Sequence, residues 1–157
     1  MQEYISKLID RFQKEGRKTQ TFFQALTPEE WGREIYSEGT VWTVRQIFAH
    51  LVSAESGIAR LVQHILDGGQ GVPEDFDLDR YNERKVGELD GKTTDELMVM
   101  FSNLRGETIK MVATLGDEDL SREGRHPWLG MATLGDMLKL MYRHNKIHQR
   151  EIRRVLD

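Results

Sequence analysis

Threonines set ahead of helical runs divide this chain before any other signal does. Thr27-Pro28-Glu29-Glu30 and Thr43-Val44-Arg45-Gln46 each place a threonine three residues before a glutamate or glutamine. In that pattern the hydroxyl accepts from the amide at the third helical position, while the longer side chain reaches back to the threonine amide. Two otherwise unpaired donors are satisfied together. Pro28 suits the first helical position, where its missing N–H costs nothing. Thr93 or Thr94 starts another run, with Glu96 in place for the same box, and Thr133 starts the last. Behind these starts apolar residues return every three or four positions, which predicts an all-α chain of four long amphipathic helices.

The first helix is expected from about Glu3 to Ala25, with Tyr4, Leu8, Phe12, Phe22 and Phe23 in the core and Gly16 a weak point midway. Thr27-Pro28 begins a short extra helix, followed by a loop through Glu38-Gly39. The second long helix starts at Thr43, buries Val44, Ile47, Leu51, Ala54, Ile58, Leu61 and Ile65, and stops at Asp67-Gly68-Gly69. From Gly68 to Lys92 the sequence is irregular. A connection that long can cross a bundle, so the second and third helices need not be antiparallel neighbours. The third helix ends at Leu115-Gly116, and the last packs through Leu134, Met137, Leu138, Met141, Ile152 and Val155. The order helix, short acidic helix, loop, threonine-capped helix occurs twice.

At 157 residues the chain reads as one domain, spanning 1–157, with enough sequence for its own core. Its net charge of −4 argues against nucleic acid as a partner, because a domain that neutralises phosphates usually carries a basic excess. No apolar run reaches membrane-spanning length, and Met1-Gln2-Glu3-Tyr4 lacks a basic segment leading into an apolar one. A cytoplasmic protein without a membrane partner is the expectation. Cysteine is absent, so a disulfide framework, a zinc-thiolate site and a cysteine nucleophile are all excluded. Any metal must be held by nitrogen and oxygen, and any thiol must arrive on a substrate.

Histidine is where chemistry concentrates. His144 and His148 lie four residues apart on the last helix and continue its inward stripe, while His50 adjoins the inward stripe of the second helix. Three neutral imidazoles are the ligand set of an open divalent-metal site, with a position left for water or substrate. In the bland alternative His50 hydrogen-bonds a backbone carbonyl and the pair faces a groove. Buried imidazoles without partners cost about 1–3 kcal/mol per unsatisfied group, which weighs toward the metal. His64 lies fourteen residues beyond His50, about 21 Å along a helix, and is expected in solvent. His126, beside Pro127 and Trp128 in a loop, is placed to rim a pocket.

Glu55, Asn145 and Glu151 are candidates to hold the imidazoles through their second nitrogens, and spacing does not choose among them. Arg143, Lys146, Arg150, Arg153 and Arg154 read as a solvated basic face, with a lesser reading in which Arg143 or Arg150 orients an anionic substrate.

Thr43-Val44-Arg45-Gln46-Ile47-Phe48-Ala49-His50-Leu51-Val52-Ser53-Ala54-Glu55, Asp79-Arg80-Tyr81-Asn82-Glu83 and His144-Asn145-Lys146-Ile147-His148-Gln149 resemble the DinB/YfiT-like superfamily. The resemblance covers nearly the whole chain, and one histidine followed by a distant His-x-x-x-His is its most specific part. It implies a four-helix bundle of up-down-down-up connectivity, with a long crossover between helices two and three, often as a homodimer. It also implies a metal such as zinc or nickel on three histidines, carried onto His50, His144 and His148. Some relatives are thiol-dependent S-transferases or isomerases using low-molecular-weight thiols such as bacillithiol or mycothiol. Others are hydrolase-like or stress-induced.

The expected function is therefore a metal-dependent transferase or hydrolase acting on a small molecule. There the ion activates water or an external thiol, which becomes nucleophilic when a metal deprotonates it. The alternative is a non-catalytic stress-response protein that binds a small ligand or metal.

Overall fold

The computed structural model describes residues 2–157. The elements are α1 (Gln2–Gln24), α2 (Pro28–Trp31), β1 (Glu34–Ser37), β2 (Thr40–Thr43), α3 (Val44–Leu66), α4 (Leu78–Glu88), α5 (Thr94–Ala113), a 3-10 turn (Asp117–Ser121), β3 (Glu123–His126), β4 (Gly130–Thr133) and α6 (Leu134–Leu156). The capping boxes at Thr27, Thr43 and Thr93 are all closed. At Thr43 the hydroxyl accepts from the Gln46 amide at 3.1 Å, and Gln46 Oε1 accepts from the Thr43 amide at 2.9 Å. Thr133 caps with its hydroxyl alone, because the residue three on is Asp136, whose side chain is a methylene shorter.

α1, α3, α5 and α6 form the bundle. α1 packs on α5 and α6, and α3 packs on the same two helices from the other side. Lys139 lies over the Tyr4 ring, Phe12 meets Tyr142 and Gln149 donates to Thr19, so α1 and α6 run parallel. Arg122, just ahead of α6, donates to Ile65 O near the end of α3, whereas Ser37, just ahead of α3, donates to Glu151 far along α6; these two are antiparallel. Ile47 and Phe48 share a cluster with Leu97 and Phe101, the early turns of α3 and α5, so those run together. The result is up-down-down-up. Two parallel neighbours in succession require the long crossover that residues 67–93 supply.

The interior has two apolar clusters. One gathers Leu8, Phe12, Val62, Ile65, Val112, Met137 and Leu138; the other gathers Phe23, Ile47, Phe48, Leu97, Phe101 and Ile152. In α1 the stripe is shifted from the expected one: Ile5 is buried, whereas Tyr4 is 43% exposed and Phe22 only half-buried. Between the clusters lies a polar layer in which Arg105 donates to Glu55 through Nε (2.8 Å) and Nη2 (2.9 Å), to Asn145 Oδ1 (2.6 Å) and to Phe12 O (2.9 Å). One guanidinium thereby ties all four helices. Gly16 is the reason it fits, since a Cβ there would stand 3.2 Å from Arg105 Nη1. A position that lowers helix propensity is thus used for close packing.

Two features lie beyond the expected four helices. Each half carries a β-hairpin where a loop is expected, Ile35 pairing with Trp42 and Gly124 with Ala132. Four-residue strands offer too few alternations to stand out against a helical background. The first hairpin turns on Glu38 and Gly39, both at positive φ, the two-residue geometry that matches strand twist. Within the crossover, Asp77 caps α4, whose buried residues reduce to Val86 and so leave no stripe to read. Gly71, at φ 102°, lets the crossover pair with the second hairpin through Val72 N–H to Arg125 O at 2.9 Å. Among the described residues no helix is long and apolar enough to cross a membrane.

Candidate metal centre

Antiparallel packing of α3 and α6 carries His50 to His144 and His148. The Nε2 atoms of His50 and His144 are 3.2 Å apart, and those of His144 and His148 are 2.9 Å apart. His50 and His148 are buried and His144 is nearly so. The fourth member is Glu38, at the tip of the first hairpin, with carboxylate oxygens 3.6 Å from His50 Nε2, 3.5 Å from His144 Nε2 and 3.4 Å from His148 Nε2. One donor atom from each of the four lies within 4.8 Å of every other. Donors about 2.0–2.1 Å from one ion at tetrahedral angles stand about 3.3 Å apart, the scale of these separations. Four nitrogen and oxygen donors, three of them imidazole, fit a borderline divalent cation, so this group could hold a metal ion.

The surroundings fix the rings. His148 Nδ1 lies 2.7 Å from Glu151 Oε1, a carboxylate that also accepts from the Ser37 hydroxyl at 2.9 Å. A carboxylate can only accept, so Nδ1 carries a proton and Nε2 is the nitrogen turned into the cluster, free to ligate once its own proton is released. The His50 ring lies tilted against Trp42, ring centroids 5.2 Å apart, and its Nδ1 is buried with no partner among the described residues.

Burial, then the neighbouring imidazoles, pushes His50 down to about 3. His144 is also lowered, chiefly by burial. Burial acts on His148 in the same sense, but hydrogen bonds to Glu151 and Glu38 outweigh it and hold His148 up at about 9. Hydrogen bonds from His144 and then His148 keep the Glu38 carboxyl well below the usual carboxylate range. Neighbouring imidazoles cannot all carry charge, and two of the three present free lone pairs.

A cavity of about 690 Å³ opens from the cluster between α3, α6, the crossover and the second hairpin. Leu51, Ile58, Leu61, Phe76, Met137 and Met141 give it an apolar wall, with Arg60, Asp79 and Asn82 among its polar lining. His126 lines it too, buried, with Nδ1 accepting from the amides of Trp128 and Leu129 at 3.0 and 3.1 Å. It therefore holds the hairpin turn, and burial followed by the His144 charge pushes it down to about 4. His64 is exposed and outside the cluster, though it borders the cavity.

Of the three candidates for holding an imidazole, Glu151 does so, while Glu55 and Asn145 are engaged by Arg105. Arg143 and Arg150 are exposed and neither lines this cavity. Glu38 is the residue that sequence reasoning missed. Nothing in its spacing marks it among twenty-six acidic residues, and only the hairpin turn carries it to the histidines.

A bundle with an imidazole cluster facing an apolar cavity defines the class, that of helical-bundle proteins able to hold a metal. Residues 11–152 match the DinB superfamily, and the chain belongs to that family. Among solved structures it is similar to YfiT from Bacillus subtilis, described as a probable metal-dependent hydrolase with an unusual four-helix bundle topology. The identity is 24% with a TM-score of 0.76, covering 98% of this chain and 86% of that one. It is similar also to the colibactin self-resistance protein ClbS, solved in complex with a dsDNA (13% identity, TM-score 0.76, 97% and 95% covered). A mycothiol-dependent maleylpyruvate isomerase matches at 13% identity and TM-score 0.77, and this chain, 94% covered, spans 60% of that protein. Such identities establish the fold. A search of curated protein sequences gave no match.

The ClbS complex overturns one expectation. A net charge of −4 argues against nucleic acid, yet a protein of this fold has been solved with DNA. Net charge is a sum over the whole surface, whereas a phosphate responds to charges within about a Debye length, so the sum does not exclude such a partner.

Proposed function

We propose that the chain is a metal-dependent enzyme that transforms a small molecule with an apolar body, and that His50, His144 and His148 ligate a divalent ion, zinc or nickel, through Nε2. The observation that carries this reading is the convergence of three Nε2 atoms and the Glu38 carboxylate within 4.8 Å at the end of an apolar cavity. When bound, such an ion would lower the pKa of a coordinated water or low-molecular-weight thiol and so supply a nucleophile near neutral pH. Glu151 fixes the tautomer and ring plane of His148. Glu38 is the nearest carboxylate to all three Nε2 atoms and is the group in place to take a proton released there. The cavity wall excludes water and holds the apolar part of the substrate toward the cluster. The YfiT description and the thiol dependence of the isomerase are consistent with hydrolysis and thiol transfer respectively.

Elemental analysis of protein purified without chelator tests the ligand set. About one ion per chain is expected, with loss of metal in His144→Ala; a variant that still holds stoichiometric metal refutes the assignment. Turnover is then measured with model esters and electrophiles, with and without a panel of thiols. Glu38→Gln should keep its metal and lose turnover. A metal-loaded protein inert under every condition would instead be a binding protein.

A further inference from the structure

The charge of this chain is divided between its faces. α1 and α6 carry eleven lysines and arginines against five carboxylates, a net +6, whereas the remainder carries eleven against twenty-one, a net −10. The two helices are parallel neighbours, so their cations share one face. On α1, Lys7, Arg11, Lys14 and Lys18 recur at steps of four, three and four; on α6, Lys139, Arg143, Lys146, Arg150 and Arg153 recur at four, three, four and three. Each series is one straight ridge. At 100° per residue the α6 ridge is turned to the side of that helix opposite His144 and His148.

Between the ridges runs a groove of about 680 Å³ lined by Lys14, Arg17 and Lys18 from α1 and Lys146, Arg150 and Arg153 from α6. Phe22 lies in it with the Arg153 guanidinium 5.0 Å from its ring. Its one carboxylate, Glu15, is buried and lies 3.9 Å from Arg11 and 3.7 Å from Lys18, so six cations line the groove against a single anion. Like charges at this density repel one another and lower stability unless something neutralises them.

We propose that the α1/α6 groove binds the phosphodiester backbone of a nucleic acid, independently of the histidine cluster. Cations on each ridge fall about every 5 Å, and the nine together give about one per 2.3 Å of helix, close to the one phosphate per 1.7 Å of duplex DNA. The occupant must also be narrow enough to enter a trough between two helices. A bilayer surface is flat and takes up apolar side chains between the cations. Here the groove's lining besides its cations is Glu15, Thr21, Phe22 and Gln149, of which Thr21 alone is fully exposed and the one apolar residue, Phe22, is half-buried beneath Arg153.

The experiment is fluorescence anisotropy of labelled single-stranded and duplex oligonucleotides of mixed sequence, at 50 mM salt and upward. Binding is expected to weaken at least ~100-fold between 50 and 200 mM as counterions are released. Lys14→Glu/Arg150→Glu should weaken it tenfold or more. Arg33→Glu/Arg84→Glu, two exposed cations elsewhere with the same charge change, should weaken it less than twofold. The His50, His144 and His148 triple alanine variant should bind as the parent does, and preference for one oligonucleotide form identifies which backbone fits. The proposal is overturned if neither form binds at 50 mM, if both charge pairs weaken binding equally, or if polyglutamate or anionic vesicles compete for the groove while oligonucleotides do not. Circular dichroism of each variant checks that the helices are kept.

Discussion

Removing the Glu55 side chain should destabilise this protein more than any change on its surface. Arg105 is 4% exposed and lies between the Phe12 and Phe101 rings, 5.2 and 5.0 Å from their centroids. Glu55, 3% exposed, supplies its only neutralising charge among the described residues, through two hydrogen bonds of 2.8 and 2.9 Å. Glu55→Leu leaves a guanidinium in the bundle interior with Asn145 Oδ1 and Phe12 O as its remaining acceptors. Stranding a buried charge in this way costs ~3–5 kcal/mol. Arg105→Leu, which strands the carboxylate, should cost as much. The double variant removes both charges and fills the space with leucine; Phe12 O keeps its donor from the next turn of α1, so the Asn145 amide oxygen is left short of one, ~1–3 kcal/mol. Urea unfolding followed by far-ultraviolet circular dichroism measures all three. Each single variant should lie well below the parent, with the double variant more stable than either. A double variant whose loss equals the sum of the single losses would refute a coupled pair and leave the polar layer as two independent packing sites.

In metal-free protein His148 is held up at about 9 against an ordinary imidazole value of 6.5. The folded state therefore keeps a proton that the unfolded chain releases, so this stabilisation is complete below pH 6.5 and is lost as pH rises through 9. Glu151→Gln should flatten that part of the stability curve in chelator, and an unchanged slope would refute the ion pair. In loaded protein the same substitution should weaken metal affinity about 10–100-fold, read by competition with a chelating dye. Gly71→Ala, at φ 102° and against the Arg125 backbone, should cost ~1–3 kcal/mol by thermal unfolding. An unchanged midpoint would mean that the crossover does not need this bridge.

Much of the bundle was legible because helix signals are local. Thr43 and Thr93 cap with residues three positions away, and the stripe from Val44 to Ile65 repeats at the period of the helix itself. The pair His144 and His148 was legible for the same reason, since spacing alone puts them on one face, whereas His50 could be joined to them only through the family resemblance. Tyr4 and Ile5 mark the limit: periodicity places a stripe to within a residue, and the packing of α1 on α5 and α6 decides which of two adjacent apolar residues goes in. The hairpins and α4 were hidden because short strands and a helix with one buried residue carry little pattern.

The sequence by itself determined four long helices, three of them threonine-capped, the cysteine-free donor set and the shared face of His144 and His148. Tertiary structure alone decided that α3 and α6 run antiparallel so that His50 meets the pair, and that a hairpin tip brings Glu38 to the same point. It also decided that Arg105 reaches across Gly16 to tie the helices, and that the cations of α1 and α6 share a groove. These are meetings of residues tens of positions apart, and no local pattern encodes them. They follow from the order of helices around the bundle, which the long crossover makes possible and the packing of the two apolar clusters fixes.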